Sequence, residues 1–232
     1  MKTKAIILSA GKGTRMNKSI SKQYLMLGNQ TVLSYSLEAF QKSSIDEIIL
    51  VTAQEDMEYV KNNIIIPHKI DKVTKIVAGG QERYLSVYQG LLAARDCDYI
   101  MIHDGARPFL TIDIIEDSIQ AVQKYHACAV GVPLKDSIKK VGQEGYIAEN
   151  IERKDVWQVQ TPQSFYYPLI LAAYEKLLHS DMEPTDDTSV VEYFTETKVK
   201  MLFGSYENLK ITTPEDLEYG EYVIEKRKNI EK

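Results

Sequence analysis

Cysteine is scarce in this chain: Cys97 and Cys128 are the only two, and they form no CxxC pair. This spacing excludes a disulfide framework and gives no signal for a zinc site. Long apolar runs are missing as well, since no stretch approaches the roughly 18 apolar residues of a membrane helix. The apolar stretch Ala5 to Leu8 near the N-terminus is shorter than a signal-peptide core of roughly 7–15 residues. We therefore expect a cytoplasmic protein without a membrane partner.

An excess of basic residues is also missing, because the formal net charge of the 232 residues is -5. Proteins that coat nucleic acid need a basic face, so we expect no nucleic-acid partner. The acidic balance does not exclude a small anionic ligand, since a few cations can focus the electric field inside a cleft. A hydrophobic fraction of 44% and a charged fraction of 26% are ordinary for a globular protein with a sizeable core.

Short β-branched runs alternate with longer amphipathic stretches along most of the chain. Strands that alternate with helices predict an α/β fold with a mostly parallel sheet flanked by helices. Such sheets bind ligands at the carboxyl ends of their strands. The predicted strands are Ala5–Ser9, Glu47–Thr52, Val73–Ala78, Tyr99–His103 and Ala127–Pro133, and the predicted helices include Thr31–Lys42, Arg83–Arg95 and Ile112–Tyr125.

The alternation breaks at about residue 135. Two short extended runs flank the turn Gly142-Gln143-Glu144-Gly145, which predicts a β-hairpin. The α/β pattern resumes near Val156, and a last helix is expected to start at Thr213-Pro214, with Thr213 as its N-cap. The chain contains no internal repeat or linker, so we expect one domain over residues 1–232 with an inserted arm at about 135–155.

A glycine-containing loop, Ser9 to Met16, follows the first predicted strand. It is not a Walker A loop, which would need Gly in place of Ile6 and Ser or Thr in place of Gly13. It is not a dinucleotide fingerprint either, because Met16 occupies the position of the third small residue. A GxG sequence alone is equally consistent with a plain strand–helix turn. Four cations around the loop favour a polyphosphate ligand: Lys12, Arg15, Lys18 and Lys22.

Other polar residues follow later strands. Asp104 at the end of the fourth strand suits a magnesium site, although such an acid is as often a helix cap or turn residue. Arg107 and Lys210, taken singly, would be expected at a solvated surface or in a salt bridge. Gln160 and Thr161 can read hydrogen bonds on a ligand or belong to an ordinary loop. Thr185 opens the run TDDTS, which resembles a helix cap.

Eight segments taken together resemble the cytidylyltransferases that make 4-diphosphocytidyl-2-C-methyl-D-erythritol in the non-mevalonate isoprenoid pathway. They occur in the family's order and span nearly the whole chain, so the match is highly specific although no single segment decides it. The segments are SAGKGTRM, KQYLMLGNQTVLSYSL, GGQERYLSVYQGL, MIHDGARPF, VPLKDSIK, VWQVQTPQSF, TDDTSVVE and ENLKITTPEDL.

The resemblance implies a Rossmann-like nucleotidyltransferase fold, transfer of CMP from CTP to 2-C-methyl-D-erythritol 4-phosphate, and release of pyrophosphate. It implies Mg²⁺ as cofactor, held at or near Asp104 directly or through water. It also implies a homodimer in which the arm of one subunit helps to build the site of the other.

The resemblance also assigns roles to individual residues. The implied catalytic cations are Arg15, Lys22 and Lys210. The implied nucleotide-binding residues are Ala10, Gly11, Gly13, Gly80, Gln81, Ser86, Asp104 and Gly105. The implied acceptor-binding residues are Arg107, Ser137, Arg153, Thr161 and Thr185, with Arg153 reaching across the dimer.

Three alternatives stay open from the sequence. A ribitol-5-phosphate cytidylyltransferase shares the fold and the CTP site, and in that group the fourth-strand motif more often has valine where this chain has Ala106. A non-catalytic nucleotide-binding regulator would be expected to lack Lys22 or Lys210, and both are present. A dehydrogenase on a dinucleotide-binding fold is disfavoured by Met16.

Overall fold

A seven-stranded sheet forms the centre of the molecule in the computed structural model, which describes residues 1–11 and 21–230. The strands of this sheet are β1 (Thr3–Ser9), β4 (Glu47–Thr52), β5 (Val73–Ala78), β6 (Tyr99–Asp104), β7 (Ala127–Pro133), β10 (Trp157–Tyr166) and β11 (Lys200–Phe203). Their order in the sheet is β11-β7-β10-β6-β1-β4-β5. Within the described residues, six of these strands run parallel, and β10 runs antiparallel to its two neighbours. The prediction of an α/β fold with a mostly parallel sheet is confirmed.

Helices cover both faces of this sheet. They are α1 (Val32–Lys42), α2 (Met57–Val60), α3 (Arg83–Ala93), α4 (Ile112–Tyr125), α5 (Tyr167–Leu177), α6 (Asp187–Phe194) and α7 (Pro214–Ile230). Side chains alternate along each strand, so the apolar run of β1 serves two cores. Ile6 packs with α3, α5 and α6, whereas Ile7 packs with α1, α2 and α4 on the other face.

Threonine caps set where several helices begin. The Thr31 hydroxyl accepts a hydrogen bond from the Ser34 N–H, and the Thr111 hydroxyl accepts one from the Ile114 N–H. At the last helix the Thr213 hydroxyl accepts from the Asp216 N–H at 3.4 Å. The predicted N-cap at Thr213 is therefore present.

The predicted hairpin is present as well. Strands β8 (Ile138–Val141) and β9 (Ile147–Ile151) pair antiparallel and form a separate two-stranded sheet. Another small pair, β2 (Met26–Leu27) and β3 (Gln30–Thr31), precedes α1. None of the helices in the described part of the chain is both long and apolar enough to cross a membrane.

Parallel pairing brings the ends of β1, β4 and β6 to one edge of the sheet. Ser9 is in register with Thr52, and Leu8 is in register with Asp104. Strand β10 runs in the opposite direction, so its first half lies at this same edge. The Thr161 hydroxyl there accepts a hydrogen bond from the Asp104 N–H at 3.1 Å. This edge carries the candidate site.

Candidate active site

Two clefts lie side by side at the carboxyl edge of the sheet. The first has a volume of about 260 Å³ and is bounded by the end of β1, the loop after β5 and the start of α3. The second has a volume of about 350 Å³ and is bounded by β10 and by the residues just before α6. Among the residues that the structure describes, the charged side chains of Arg83, Asp104 and Lys210 line both clefts. This shared boundary would put ligands in the two clefts next to each other.

Gln23 holds the start of the glycine-containing loop in place. Its side-chain amide donates to the carbonyl of Ser9 at 2.5 Å and to the carbonyl of Gly11 at 3.1 Å. The Ser9 hydroxyl in turn donates to the Val51 carbonyl on the neighbouring strand. Because the Ser9 and Gly11 carbonyls are occupied in this way, the segment around Ala10 has a defined path along the first cleft. Lys22 lines the same cleft.

The opposite wall of the first cleft is the turn between β5 and α3. The Gly80 N–H donates to the Ser86 hydroxyl at 3.1 Å. A Cβ atom on Gly79 would lie 2.5 Å from the Ala10 Cβ and 2.7 Å from the Ser86 Oγ. The two walls therefore approach each other so closely that only glycine fits at position 79.

Asp104 is the charge centre of the boundary between the clefts. Its carboxylate accepts from the Lys210 Nζ at 2.9 Å and from the Arg83 Nε at 3.5 Å, and the Arg107 Nε lies 3.7 Å away. Burial alone would raise the pKa of Asp104, but Arg83, Lys210 and Arg107 outweigh burial and hold that pKa well below its usual range. Asp104 is therefore an anion surrounded by three cations.

Arg107 is buried against the second cleft, with 9% of its surface exposed. Its Nη1 donates to the Asn208 carbonyl at 2.8 Å, whereas its Nε has no hydrogen-bond partner among the described residues. Burial lowers the pKa of Arg107, and Asp104 opposes this effect. This nitrogen is itself buried and faces Asp104 at 3.7 Å, so Asn208 and Asp104 fix the Arg107 guanidinium at the wall of the second cleft.

Thr161 is held between Asp104 and a buried histidine. Its hydroxyl lies 3.0 Å from the Nδ1 of His103. Burial lowers the pKa of His103 to about 3, so this ring is neutral at physiological pH. The Asn208 side chain donates to the Thr161 carbonyl at 2.9 Å. These contacts fix the Thr161 side chain at the wall of the second cleft.

The structure brings most of the sequence-predicted residues to these two clefts. The first cleft is lined by Ala10, Gly11, Lys22, Gly80, Gln81, Ser86, Asp104 and Lys210. The second is lined by Arg107, Thr161, Thr185, Asp104 and Lys210. The adjacent Asp186 caps α6, as one interpretation of the TDDTS run expected.

Three of the predicted residues, Gly105, Ser137 and Arg153, do not line these clefts, and two others cannot be placed. Gly13 and Arg15 lie outside the described residues. Gly105 is buried, and a Cβ there would meet Leu33 and the Leu8 carbonyl. Ser137 and Arg153 are exposed next to the hairpin, outside both clefts as the described residues define them.

Arg83 is the site residue that sequence reasoning missed. It is the first residue of α3 and forms a bidentate pair with Asp187, with distances of 2.9 and 2.8 Å. Burial opposes its charge, but Asp187 and Asp104 raise its pKa above the usual value. Its position in the GGQER segment was the available signal, since this segment follows the carboxyl end of a predicted strand, where α/β sheets bind ligands. Its partner Asp187 is 104 residues away in sequence.

A divalent cation has few protein ligands here. The described residues contain no group of three or more His, Cys, Asp or Glu side chains that could hold a metal. Asp104 offers one carboxylate, which it already shares with three cations. Mg²⁺ is commonly bound by one or two carboxylates together with substrate phosphates. These residues therefore fit an ion that arrives with a polyphosphate rather than one held by the protein alone.

Comparisons with known proteins agree with the geometry. A family model described as 2-C-methyl-D-erythritol 4-phosphate cytidylyltransferase matches residues 3–226. A protein of that name from Clostridium novyi is 46% identical over 95% of this chain and 96% of its own length. One from Clostridium botulinum (Type A) is 48% identical, covering 97% and 98%. The crystal structure of 4-diphosphocytidyl-2C-methyl-D-erythritol synthase from Anaerococcus prevotii superposes with a TM-score of 0.85 at 34% identity, covering 97% of this chain and 98% of that one.

Proposed function

The chain belongs to the 2-C-methyl-D-erythritol 4-phosphate cytidylyltransferase family, and we propose that it catalyses the reaction for which this family is named. It transfers CMP from CTP to 2-C-methyl-D-erythritol 4-phosphate, and the products are 4-diphosphocytidyl-2-C-methyl-D-erythritol and pyrophosphate. The observation that carries this proposal is the boundary between the two clefts, where Arg83, Asp104 and Lys210 line both. A transfer between two bound phosphates needs such a shared and positively charged boundary.

The nucleotide occupies the first cleft in this proposal. The loop that begins at Ala10 and Gly11 lies along the phosphates, and the Gly80 to Ser86 turn contacts the base or ribose. Support comes from the Gly80–Ser86 hydrogen bond and the close approach of Gly79 to Ala10, which form a narrow slot. Gly13 and Arg15 keep their proposed nucleotide roles from the family resemblance, whereas Gly105 is buried against Leu33 and Leu8 and does not line the cleft.

The acceptor occupies the second cleft, against Arg107, Thr161 and Thr185. Arg107 supports this assignment, because its side chain lines the cleft and is held in place by the Asn208 carbonyl, and a fixed guanidinium is well suited to bind a phosphate. The attacking oxygen belongs to a phosphate that is already anionic, so the reaction requires no strong general base. It attacks the α-phosphorus of CTP in line, and the bond to pyrophosphate breaks.

Charge neutralisation and positioning are the main requirements of this reaction. Lys22, Lys210 and Arg15 supply positive charge near the reacting phosphates. Asp104, together with the nucleotide phosphates, would hold Mg²⁺, and the ion would supply further neutralisation of phosphate charge. His103 is neutral and fully buried, and we assign it no proton-transfer role.

The arm at about residues 135–155 contacts a second copy of the chain in this proposal, with residues 1–232 forming one domain. The hairpin exposes the apolar side chains of Val141, Tyr146 and Ile147, which suit burial in an interface. Ser137 and Arg153 lie next to the hairpin and would complete the acceptor site of the partner. We expect sedimentation to show a homodimer of the wild-type protein and a monomer after charged substitutions at Tyr146 and Ile147.

Pyrophosphate release by the purified protein tests the proposed reaction. The assay contains CTP and Mg²⁺ with either 2-C-methyl-D-erythritol 4-phosphate or ribitol 5-phosphate as acceptor. Release with the first acceptor and not with the second is the expected result. Release with ribitol 5-phosphate alone would keep the nucleotide site and reject the proposed acceptor. No release with either acceptor, from folded protein, would reject the proposed reaction.

A further inference from the structure

Arg83 is anchored at the boundary between the two clefts from two sides. Its two terminal nitrogens donate to the carboxylate of Asp187 at 2.9 and 2.8 Å, and its Nε points to Asp104 at 3.5 Å. The side chain is nevertheless 34% exposed and lines both clefts. A ligand phosphate at the boundary can therefore reach a guanidinium group whose orientation is already fixed.

The anchor itself is fully buried. Asp187 has no exposed surface, and the Tyr174 hydroxyl donates to its Oδ1 at 2.5 Å. Burial and the neighbouring Asp187 raise the pKa of Tyr174 well above its usual value, so this hydroxyl keeps its proton and remains a donor. The N–H of Asp187 donates to the Gln163 side chain at 2.9 Å, which ties the start of α6 to β10.

A buried ion pair is weak evidence for a purely stabilising role. Removing two charges from water costs several kcal/mol per ion, and well-packed apolar residues often stabilise a fold at least as well. What a bidentate arginine–carboxylate pair supplies is orientation, because the planar guanidinium is held by two parallel hydrogen bonds. Here the oriented group faces the ligand clefts.

We propose that Arg83 is a catalytic residue that contacts the transferred phosphate between the two clefts, and that Asp187 and Tyr174 are positioning residues that hold its guanidinium there. This inference rests on the proposed cytidylyltransferase reaction. It assigns a function to three residues that lie in three different helices. Asp187 and Tyr174 do not touch the substrates and act only through Arg83.

Two substitutions test the positioning role. Tyr174→Phe removes the hydrogen bond to Asp187 with little change in shape, and kcat should fall about fivefold, the effect of losing one hydrogen bond. Asp187→Asn removes the charge that orients Arg83, and kcat should fall by about 10²-fold, as for a misplaced catalytic group. The KM for CTP should change little in both variants, because the loop at Gly80 and Ser86 is untouched.

Tyr167→Phe is the matched control. Tyr167 lies on the same helix, is 8% exposed, and donates its hydroxyl to the Leu91 carbonyl at 2.9 Å, away from both clefts. Thermal unfolding of all variants measures their stability. If Tyr174→Phe and Tyr167→Phe lose similar stability and only Tyr174→Phe loses turnover, the positioning role is supported.

Other outcomes would overturn the inference. Wild-type turnover in Tyr174→Phe, or an equal loss of kcat in Tyr167→Phe, would show that the pair serves the fold alone. An increase in the KM for CTP with unchanged kcat would reject a contact with the transferred phosphate. An inactive wild-type protein would instead refute the proposed reaction, so the two failures are distinguishable. Asp187→Asn does not need to fold for the test to succeed, since the Tyr174→Phe comparison stands by itself.

Discussion

Lys210 offers the sharpest test of how the site works. Its ammonium group lies 2.9 Å from the Asp104 carboxylate and lines both clefts. Lys210→Met keeps most of the length of the side chain and removes the charge. We expect turnover to fall sharply, because the lost charge faces both clefts. We expect the fold to remain, because Asp104 still has Arg83 and Arg107 beside it.

The size of each effect follows from the contacts. Loss of one preorganised electrostatic contact costs about 10²–10³ in kcat, or about 2.7–4 kcal/mol of transition-state stabilisation. The loss of folding stability is smaller, since Lys210 is 35% exposed and such pairs contribute about 1 kcal/mol or less. Asp104 also keeps Arg83 and Arg107 nearby. For a chain of this length, 1 kcal/mol shifts Tm by about 2–4 °C.

Lys226→Met provides the control for the lost ion pair. Lys226 lies 2.8 Å from Glu207, is 47% exposed, and lines neither cleft. Pyrophosphate release at saturating CTP and acceptor gives kcat, and thermal unfolding gives Tm. A Lys210→Met enzyme that retains wild-type kcat would refute the electrostatic mechanism. A loss of activity matched by collapse of Tm would show that Lys210 stabilises the site rather than the reaction.

Two further predictions concern the slot and the buried histidine. Gly79→Ala places a Cβ within 2.5 Å of the Ala10 Cβ, so the KM for CTP should rise about tenfold. An unchanged KM for CTP would show that this slot is not the nucleotide site. Burial lowers the folded-state pKa of His103 from 6.5 to about 3, so between these values the unfolded chain binds an extra proton and stability falls with falling pH. Between pH 6.5 and about pH 5, this proton uptake should lower the free energy of unfolding by about 1.5 kcal/mol. Urea unfolding at several pH values should show this loss in the wild-type protein and not in His103→Gln. Parallel plots of unfolding free energy against pH for the two proteins would contradict the prediction.

Several parts of the fold could be read from local patterns. The β-branched runs at Ala5–Ser9 and Glu47–Thr52 lie within observed strands, and Thr213 caps the last helix as expected. The hairpin around Gly142–Gly145 was predicted from its turn residues. These features depend on neighbours within a few residues, which is why periodicity and capping signals find them.

The antiparallel strand β10 was not evident from the same patterns. Its ten residues include Thr161-Pro162, and its register with β7 shifts between Val159 and Gln163. Proline and an irregular register weaken any strand signal in the sequence. This strand nonetheless brings Thr161 beside Asp104 and so forms one wall of the second cleft.

The fold class, the family resemblance and many of the residues that line the two clefts could be predicted from the sequence, because each is carried by a contiguous segment with its own pattern. Long-range packing brings Lys210 and Arg83 to Asp104, and it brings Asp187 and Tyr174 to Arg83. These partners are far apart along the chain. Arg83, Tyr174 and Asp187 meet only when α3, α5 and α6 pack on one face of the sheet, and Lys210 reaches Asp104 from the segment between β11 and α7. Charge interactions depend on distance and burial, and neither quantity exists until the chain is folded.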